Sequence, residues 1–238
     1  MRVIEPQRRD GVSARSLVEA AYVALRDDIM NGTLPPGERL RVEILKDRYG
    51  VGASTLREAL TRLGGEALVT SEEQRGFRVA GVSLADFIDL SETRKFIEVE
   101  AVRQSILAAN DSWEENLVLA YHRLSKVEQK LASPSASLIT DYEQCNREFH
   151  RALIAACPLR WLLQFQAVLF QQSERYRRIS LAHTEIERDV HAEHKAIVEA
   201  ALARDVATTC RLEGEHIERA VEKLTAVMSQ AKADDIRR

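Results

Sequence analysis

The sequence is poor in cysteine, proline, glycine and aromatic residues, and its charge is nearly balanced. It has 238 residues, with 3 Cys, 5 Pro, 10 Gly, 5% aromatic residues and a formal net charge of −3. Cys145, Cys157 and Cys210 are odd in number, widely spaced and form no CxxC pair. This pattern argues against a disulfide framework and against a thiolate zinc site.

Long apolar runs are also missing. No segment approaches the ~20 apolar residues that a membrane-spanning helix needs. The N-terminal segment MRVIEPQRRDG lacks the apolar middle of a secretory signal. We therefore expect a cytoplasmic protein that does not associate with a membrane. The first 78 residues carry 13 Lys and Arg against 12 Asp and Glu, so any binding of DNA must come from a local patch.

The N-terminal third has the order of elements of a winged helix-turn-helix. Residues 1–13 are polar, and we expect them to be mobile. Helical periodicity and strand-like runs then alternate with turn signals, and a short polar loop separates the two strands. The expected helices are 16–31, 42–49 and one beginning near 53, and the expected strands are 68–70 and 77–79. We assign residues 14–80 to this domain.

From Ser83 onward the sequence has only helical periodicity, interrupted at short polar breaks. Short connections favour antiparallel neighbours, so residues 84–230 are predicted to form a six-helix bundle. The predicted fold class is mainly α. The expected helices are 84–109, 112–132, 138–156, 159–181, 185–203 and 206–229.

The stretch VGASTLREALTRL, residues 51–63, combines an apolar face with a polar N-terminal end. Ser54, Thr55 and Arg57 occupy the end that a recognition helix turns toward base edges. Arg75 and Gly76 lie at the tip of the predicted wing. The alternative is a solvated surface on which Arg57 and Arg62 pair with Glu58 and Glu66.

Residues 15–80 resemble the winged-helix domain of the GntR regulators. The pieces that carry the resemblance are G-x-L-x-P-G, L-R-E-A-L-x-x-L and R-G-F-x-V, in that order. The resemblance implies that Ser54, Thr55 and Arg57 contact double-stranded DNA from the recognition helix, and that Arg75 and Gly76 contact it from the wing. The commoner family pattern has Ser-Arg where this chain has Gly52-Ala53, so the operator sequence does not carry over.

Three histidines and an amide are predicted to face the interior of the helical part. Asn146 and His150 are four residues apart on one helix, while His194 and His216 belong to apolar stripes of two others. Together these side chains suit one divalent cation, with Zn²⁺, Ni²⁺ and Mn²⁺ all chemically admissible. The alternative is three separate core histidines that are hydrogen-bonded to their neighbours.

The helical part resembles the ligand-sensing domain of the FadR-type subgroup of the same family. The matching pieces are ETRKFIEVEA, NREFHRAL and EHKAIVEAALARD, followed by His216. In members that contain metal, an Asp and three His bind a divalent cation that helps to hold a small carboxylate effector. His150, His194 and His216 match these ligands, whereas Asn146 stands where the Asp would be.

The resemblance also implies an effector cavity. Arg94 matches a cavity arginine, and Gln172, Arg175 and Tyr176 are further candidates to line it; the alternative for Arg94 is an intrahelical pair with Glu98. Arg177 and Arg178 are expected on a solvated face. The segments VGASTLREAL, SWEENLVLAYHRL and RYRRISL are most similar to carbon-starvation-induced regulators of glutarate and 4-aminobutyrate catabolism. That similarity implies a short dicarboxylate.

These patterns predict a homodimeric, effector-responsive repressor that binds a pseudo-palindromic operator. Two alternatives stay open. One is a dimer that binds DNA without an effector. The other is a metal-dependent hydrolase that uses the histidine cluster, which would need a general base nearby. Glu148 and Glu193 adjoin the histidines in sequence but are expected on other helix faces.

Overall fold

The computed structural model describes residues 14–72, 76–131, 135–181 and 188–236. The chain divides into two compact units, Met1–Val82 and Ser83–Arg238. Three features of the sequence predictions lie outside the described residues: the N-terminal segment 1–13, the wing residue Arg75, and His183, for which no ligand role is expected.

The first unit contains three helices and a three-stranded sheet among its described residues. They are α1 (Ala14–Met30), β1 (Arg39–Leu40), α2 (Val42–Tyr49), α3 (Ala53–Gly65), β2 (Val69–Glu72) and β3 (Gly76–Val79). The strand order is β1-β3-β2, with both pairs antiparallel. The hairpin is predicted correctly from the sequence. Strand β1 is not, because two residues are too short to show an alternating pattern.

Glycines and a small apolar core fix the geometry of this unit. Gly50 closes α2 in the left-handed region, with φ of 67°, and its amide donates to the Lys46 carbonyl. Leu56, Leu60 and Leu63 of α3 are fully buried together with Leu25 of α1. The core therefore holds α3 by its apolar face and leaves its polar face to the outside.

The second unit contains six helices within the described part of the chain. They are α4 (Leu84–Ala108), α5 (Asp111–Glu128), α6 (Ala136–Leu153), α7 (Arg160–Leu181), α8 (Val190–Leu202) and α9 (Val206–Ile236). Side chains cap four of the helix starts: Ser83, Asn110, Ser135 and Asp189 each accept a hydrogen bond from an amide of the first turn. The mainly α fold class is confirmed, and α9 extends beyond its predicted end.

The interior of the helical unit is built from aromatic and branched side chains. Trp113, Phe149, Leu153 and Ile197 are buried in one cluster. The indole of Trp113 donates to the carbonyl of Leu153 at 3.1 Å, which ties α5 to α6. None of the described helices combines the length and the apolar character that crossing a bilayer requires.

Candidate functional site

The polar face of α3 is open to a partner. Ser54 and Arg57 are exposed and Thr55 is half-buried, while the apolar residues of the same helix are buried. Arg57 makes no ion pair with any described carboxylate. Arg62 Nη1 donates to Glu19 Oε2 at 2.8 Å. The part of the alternative in which Arg57 pairs with a neighbouring carboxylate is therefore not formed among the described residues.

The start of α3 suits an anion. Gly52 is its N-cap residue and provides no side-chain cap, and the first helical hydrogen bond runs from the Leu56 amide to the Gly52 carbonyl. The amides of the first turn consequently have no acceptor within the helix. Such amides, beside the hydroxyls of Ser54 and Thr55, suit phosphate oxygens. At the wing, Gly76 has φ of 86°, a left-handed conformation that favours glycine.

The second unit brings His150, His194 and His216 together from α6, α8 and α9. One nitrogen from each lies within 4.8 Å of the others. The ring centroids are 4.6 Å apart for His194 and His216, and 5.4 Å apart for each pair that includes His150. All three side chains are buried. The convergence expected from the sequence is therefore present.

Each imidazole uses Nδ1 to meet a buried glutamate. His194 Nδ1 lies 2.5 Å from Glu128 Oε1, and His216 Nδ1 lies 2.7 Å from Glu193 Oε2. His150 Nδ1 lies 3.3 Å from Glu213 Oε1. Carboxylates behind ligand histidines fix the tautomer and the ring orientation. The Nε2 atom of each ring takes no part in these three contacts.

Three polar side-chain atoms in this region lack hydrogen-bond partners among the described residues. They are the buried Oδ1 of Asn146, Nε2 of His194 and Oε2 of Glu213. Burial lowers the pKa of His150 and of His216 well below the usual 6.5, so both rings are neutral and able to act as ligands. Three imidazoles and an amide oxygen fit a divalent cation.

The glutamates behind the histidines were not anticipated from the sequence. Glu193 was expected to point away from the cluster, and this was wrong, because it contacts His216 and also pairs with Arg188. Glu213 and His216 are three residues apart on one helix, a spacing that puts both side chains on one face. That spacing was the available signal. Glu128 lies 66 residues from His194 and gave none.

The predicted effector residues have varied surroundings. Arg94 forms a buried pair with Glu98, with Nη2 to Oε2 at 2.9 Å. Tyr176 stacks on Phe87 and donates to Asp86 at 2.6 Å. Arg175 is buried, and burial lowers the pKa of its guanidinium, while Gln172 is half-buried.

The solvated face expected for Arg177 was wrong. Its guanidinium lies within hydrogen-bonding distance of the buried Glu143, with Nη2 to Oε2 at 2.8 Å. The Arg177 guanidinium also lies over the ring of Phe170. Arg178 pairs with the buried Glu174 at 3.0 Å and is itself only 11% exposed. Both arginines therefore belong to ion pairs at the edge of the interior.

A cavity of about 480 Å³ lies between α6 and α7 and reaches the histidine cluster at His150. Its inner end includes Gln166 and Phe170, both of which are buried, and its rim includes Arg147 and Arg151. Arg147 pairs with Glu174, whereas Arg151 pairs with no carboxylate among the described residues. Pockets of this size are typical of small-molecule sites. None of the four predicted effector residues lines this cavity; Tyr176 lines a smaller one beside Phe87 and Tyr142.

Curated relatives are similar to the chain over most of its length. It is 44% identical over 209 residues to the uncharacterized HTH-type transcriptional regulator BphR of Paraburkholderia xenovorans, covering 88% of this chain and 85% of that protein. It is 36% identical over 200 residues to the HTH-type transcriptional repressor GlaR of Escherichia coli, covering 82% and 90%. These relatives are transcriptional regulators, so the hydrolase alternative is set aside.

Solved structures share the fold. A putative GntR regulator from Rhodococcus sp. RHA1 gives a TM-score of 0.71 at 20% identity, covering 90% of this chain and 99% of that one. E. coli McbR/YncC gives 0.70 at 19% identity, covering 91% and 99%. The family model for bacterial regulatory proteins of the gntR family matches residues 17–79, and the FCD domain matches residues 89–219. The chain belongs to the GntR family of helix-turn-helix transcriptional regulators, in the group that carries an FCD domain.

Proposed function

We propose that the chain is a homodimeric repressor that binds a pseudo-palindromic operator. Its affinity for the operator decreases when a small carboxylate binds in the helical unit beside a divalent cation. The observation that carries the sensing part is the pair of buried, unpartnered atoms, Asn146 Oδ1 and His194 Nε2, in a cluster that adjoins a cavity. The name of the relative GlaR, a repressor, supports the sign of the regulation.

DNA binding is assigned to the polar face of α3 and to the wing. Ser54, Thr55 and Arg57 enter the major groove in this proposal, with Arg75 and Gly76 at the wing tip. Arg57 supplies a guanidinium that is suited to guanine or phosphate. Ala53 leaves no second arginine at the start of the helix. Its methyl group is suited to apolar contact with a thymine methyl group.

The effector is assigned to the cavity beside His150. Asn146, His150, His194 and His216 would hold the cation, which would supply positive charge for a carboxylate. Arg151 at the rim offers a further positive charge, and apolar residues such as Ile154 and Leu163 form part of the wall. This lining suits an acid with an apolar body. In this proposal Arg94 binds the effector by exchanging its Glu98 partner for the effector carboxylate. Gln172, Arg175 and Tyr176 are further effector-binding residues of the proposal.

Binding can change affinity for DNA only if the effector prefers one arrangement of the protein over the other. The proposal requires that the acid-bound form be the one that fits the operator poorly. The test is fluorescence anisotropy on a duplex from the chain's own promoter region, with zinc present and glutarate, adipate or phenylacetate added in turn. A rise in the operator Kd with at least one acid is expected. Unchanged Kd values with all three would contradict the acid-sensor proposal.

Homodimerisation is assigned to an exposed apolar stripe on α7. Trp161, Phe165 and Val168 follow i, i+4, i+7 spacing and are 63%, 57% and 56% exposed. Three large apolar side chains on one face are a common sign of an interface. The double change of Trp161→Glu and Phe165→Glu should give a monomer in light scattering after gel filtration. Leu119→Glu, at an exposed apolar residue of α5, is the control that should stay dimeric.

The alternative is a regulator that binds DNA without an effector. It predicts that no acid raises the melting temperature, because stabilisation by a ligand requires binding to the folded state. A thermal-shift screen of the same three acids, with and without zinc, separates the two. Stabilisation that depends on both metal and acid favours the sensor.

A further inference from the structure

The proposed cation site lacks a charged ligand. Asn146 is neutral, and an imidazole must be in its neutral form to bind a metal. A divalent cation among neutral groups in a buried site is costly unless a negative charge lies close by. The nearby carboxylates therefore decide whether this donor set suffices.

Glu128 is a buried carboxylate whose ion-pair partners within the described ranges are both histidines. Its side chain is fully buried at the end of α5, with Oε1 at 2.5 Å from His194 Nδ1 and Oε2 at 2.9 Å from His191 Nδ1. No arginine or lysine among the described residues pairs with it. Glu193, in contrast, is paired with Arg188, and Glu98 is paired with Arg94. Those two charges are already balanced by guanidinium groups.

We propose that Glu128 supplies, through His194, the negative charge that Asn146 does not, and so makes this site able to hold a divalent cation. With the carboxylate accepting the Nδ1 proton of His194, Nε2, which is buried and has no hydrogen-bond partner among the described residues, is available to a cation. A carboxylate in this position also raises the donor strength of the imidazole. Glu128 is thus a positioning residue that acts on the metal through His194, and the inference rests on the cation site of the proposed function.

The test is the affinity of the purified full chain for Zn²⁺ and for Mn²⁺, measured by competition with a chromophoric chelator. Glu128→Gln keeps an acceptor for His194 but removes the charge. We expect it to weaken metal binding by about 10–100-fold, the usual effect of losing such a partner. Glu148→Gln is the matched control, because Glu148 is a half-buried acid near the ligands on α6 whose ion pair is with Arg123 rather than with a histidine. This control should bind metal as the wild type does.

A rescue variant distinguishes an effect of the charge of Glu128 on metal affinity from a structural effect of its replacement. Asn146→Asp in the Glu128→Gln background should restore most of the lost affinity, because it returns one negative charge to the site. A merely structural role for Glu128 would leave the double variant as weak as the single one, and that result overturns the inference. An unchanged affinity in Glu128→Gln overturns it as well.

The wild type and Asn146→Asp alone provide a comparison that does not depend on the folding of Glu128→Gln. The inference expects the wild type to bind Zn²⁺ within about 10-fold of Asn146→Asp, the small end of such partner effects. Should only Asn146→Asp bind metal, the role of Glu128 is refuted while the histidine site stands. Should neither bind, the cation site of the proposed function fails too.

Discussion

Arg57 and Arg62 extend from the same helix, yet among the residues that the structure describes only Arg62 is held by side chains of its neighbours. Its guanidinium lies 2.8 Å from Glu19 and 4.1 Å from the ring centroid of Tyr22. Arg57 is exposed, and among the residues that the structure describes no carboxylate pairs with it. Arg57 is therefore available to a binding partner, whereas Arg62 contributes contacts within the first unit.

Replacement of Arg57 by alanine should weaken operator binding by about 1–3 kcal/mol if it reads a base, or lower the salt dependence by about one charge if it contacts phosphate. The melting temperature should hardly change, because the side chain has no partner to lose in the described part of the protein. Anisotropy titrations at several salt concentrations measure both effects.

Arg62→Ala is the matched control for Arg57. It removes contacts to Glu19 and Tyr22, so it should lower the melting temperature more than Arg57→Ala does. Its effect on DNA affinity should be the smaller of the two. Equal losses of affinity in both variants would argue against a special role of Arg57 at the DNA.

Replacement of Gly76 by alanine should destabilise the wing. A side chain added there meets no atom within 4 Å, so the cost comes from the backbone angle, φ of 86°. A left-handed conformation costs an L-residue about 1–2 kcal/mol. Gly65→Ala at the end of α3 also meets no atom and has no positive φ, so it should be neutral or slightly stabilising. Urea unfolding of both variants makes the comparison.

The ion pair between Glu143 and Arg177 predicts a strong asymmetry. Both side chains are largely buried, at 1% and 11% exposure. Glu143→Ala leaves the guanidinium without its carboxylate and should cost about 3–5 kcal/mol of unfolding free energy. Changing both residues to methionine should recover much of that loss. A double variant as unstable as the single one would show that the pair itself is not the cause.

The metal-free protein should lose stability as the pH falls below about 6.5. Burial lowers the pKa of His150 and His216 in the folded state, so the unfolded chain binds protons that the folded chain does not. Stability is then full above pH 6.5 and decreases on acidification, by up to about 1.4 kcal/mol per pH unit for each histidine. Melting temperatures between pH 8 and 5.5, in the presence of a chelator, measure this trend. The His150→Gln, His216→Gln double variant should show a flatter curve.

The sequence was informative where local periodicity is strong. The helices of the second unit follow apolar stripes of 3.6-residue period, and their starts carry Ser83, Asn110 and Ser135 as capping residues. The hairpin strands and α3 were equally clear. Strand β1 was missed, because its two residues are set by pairing with β3, a contact between segments far apart in the chain.

The candidate site was only half visible in the sequence. The spacing of Asn146 and His150 placed both on one face of a helix, but the acidic partners of the histidines were missed. Arg177 was expected in solvent and pairs with Glu143, 34 residues away. Such pairs join different helices. Helical periodicity indicates the direction in which a side chain points, but it does not identify the residue of another helix that the side chain contacts.

By itself, the sequence determined the family, the order of the elements and the inward direction of three histidines, since each of these depends on residues that are near one another in the chain. Only the tertiary structure decided that Glu128 lies behind His194, that Arg177 pairs with Glu143 and that a cavity opens beside His150. The physical reason is that packing between helices determines which buried charged groups contact one another, and burial strengthens the electrostatic interaction between them.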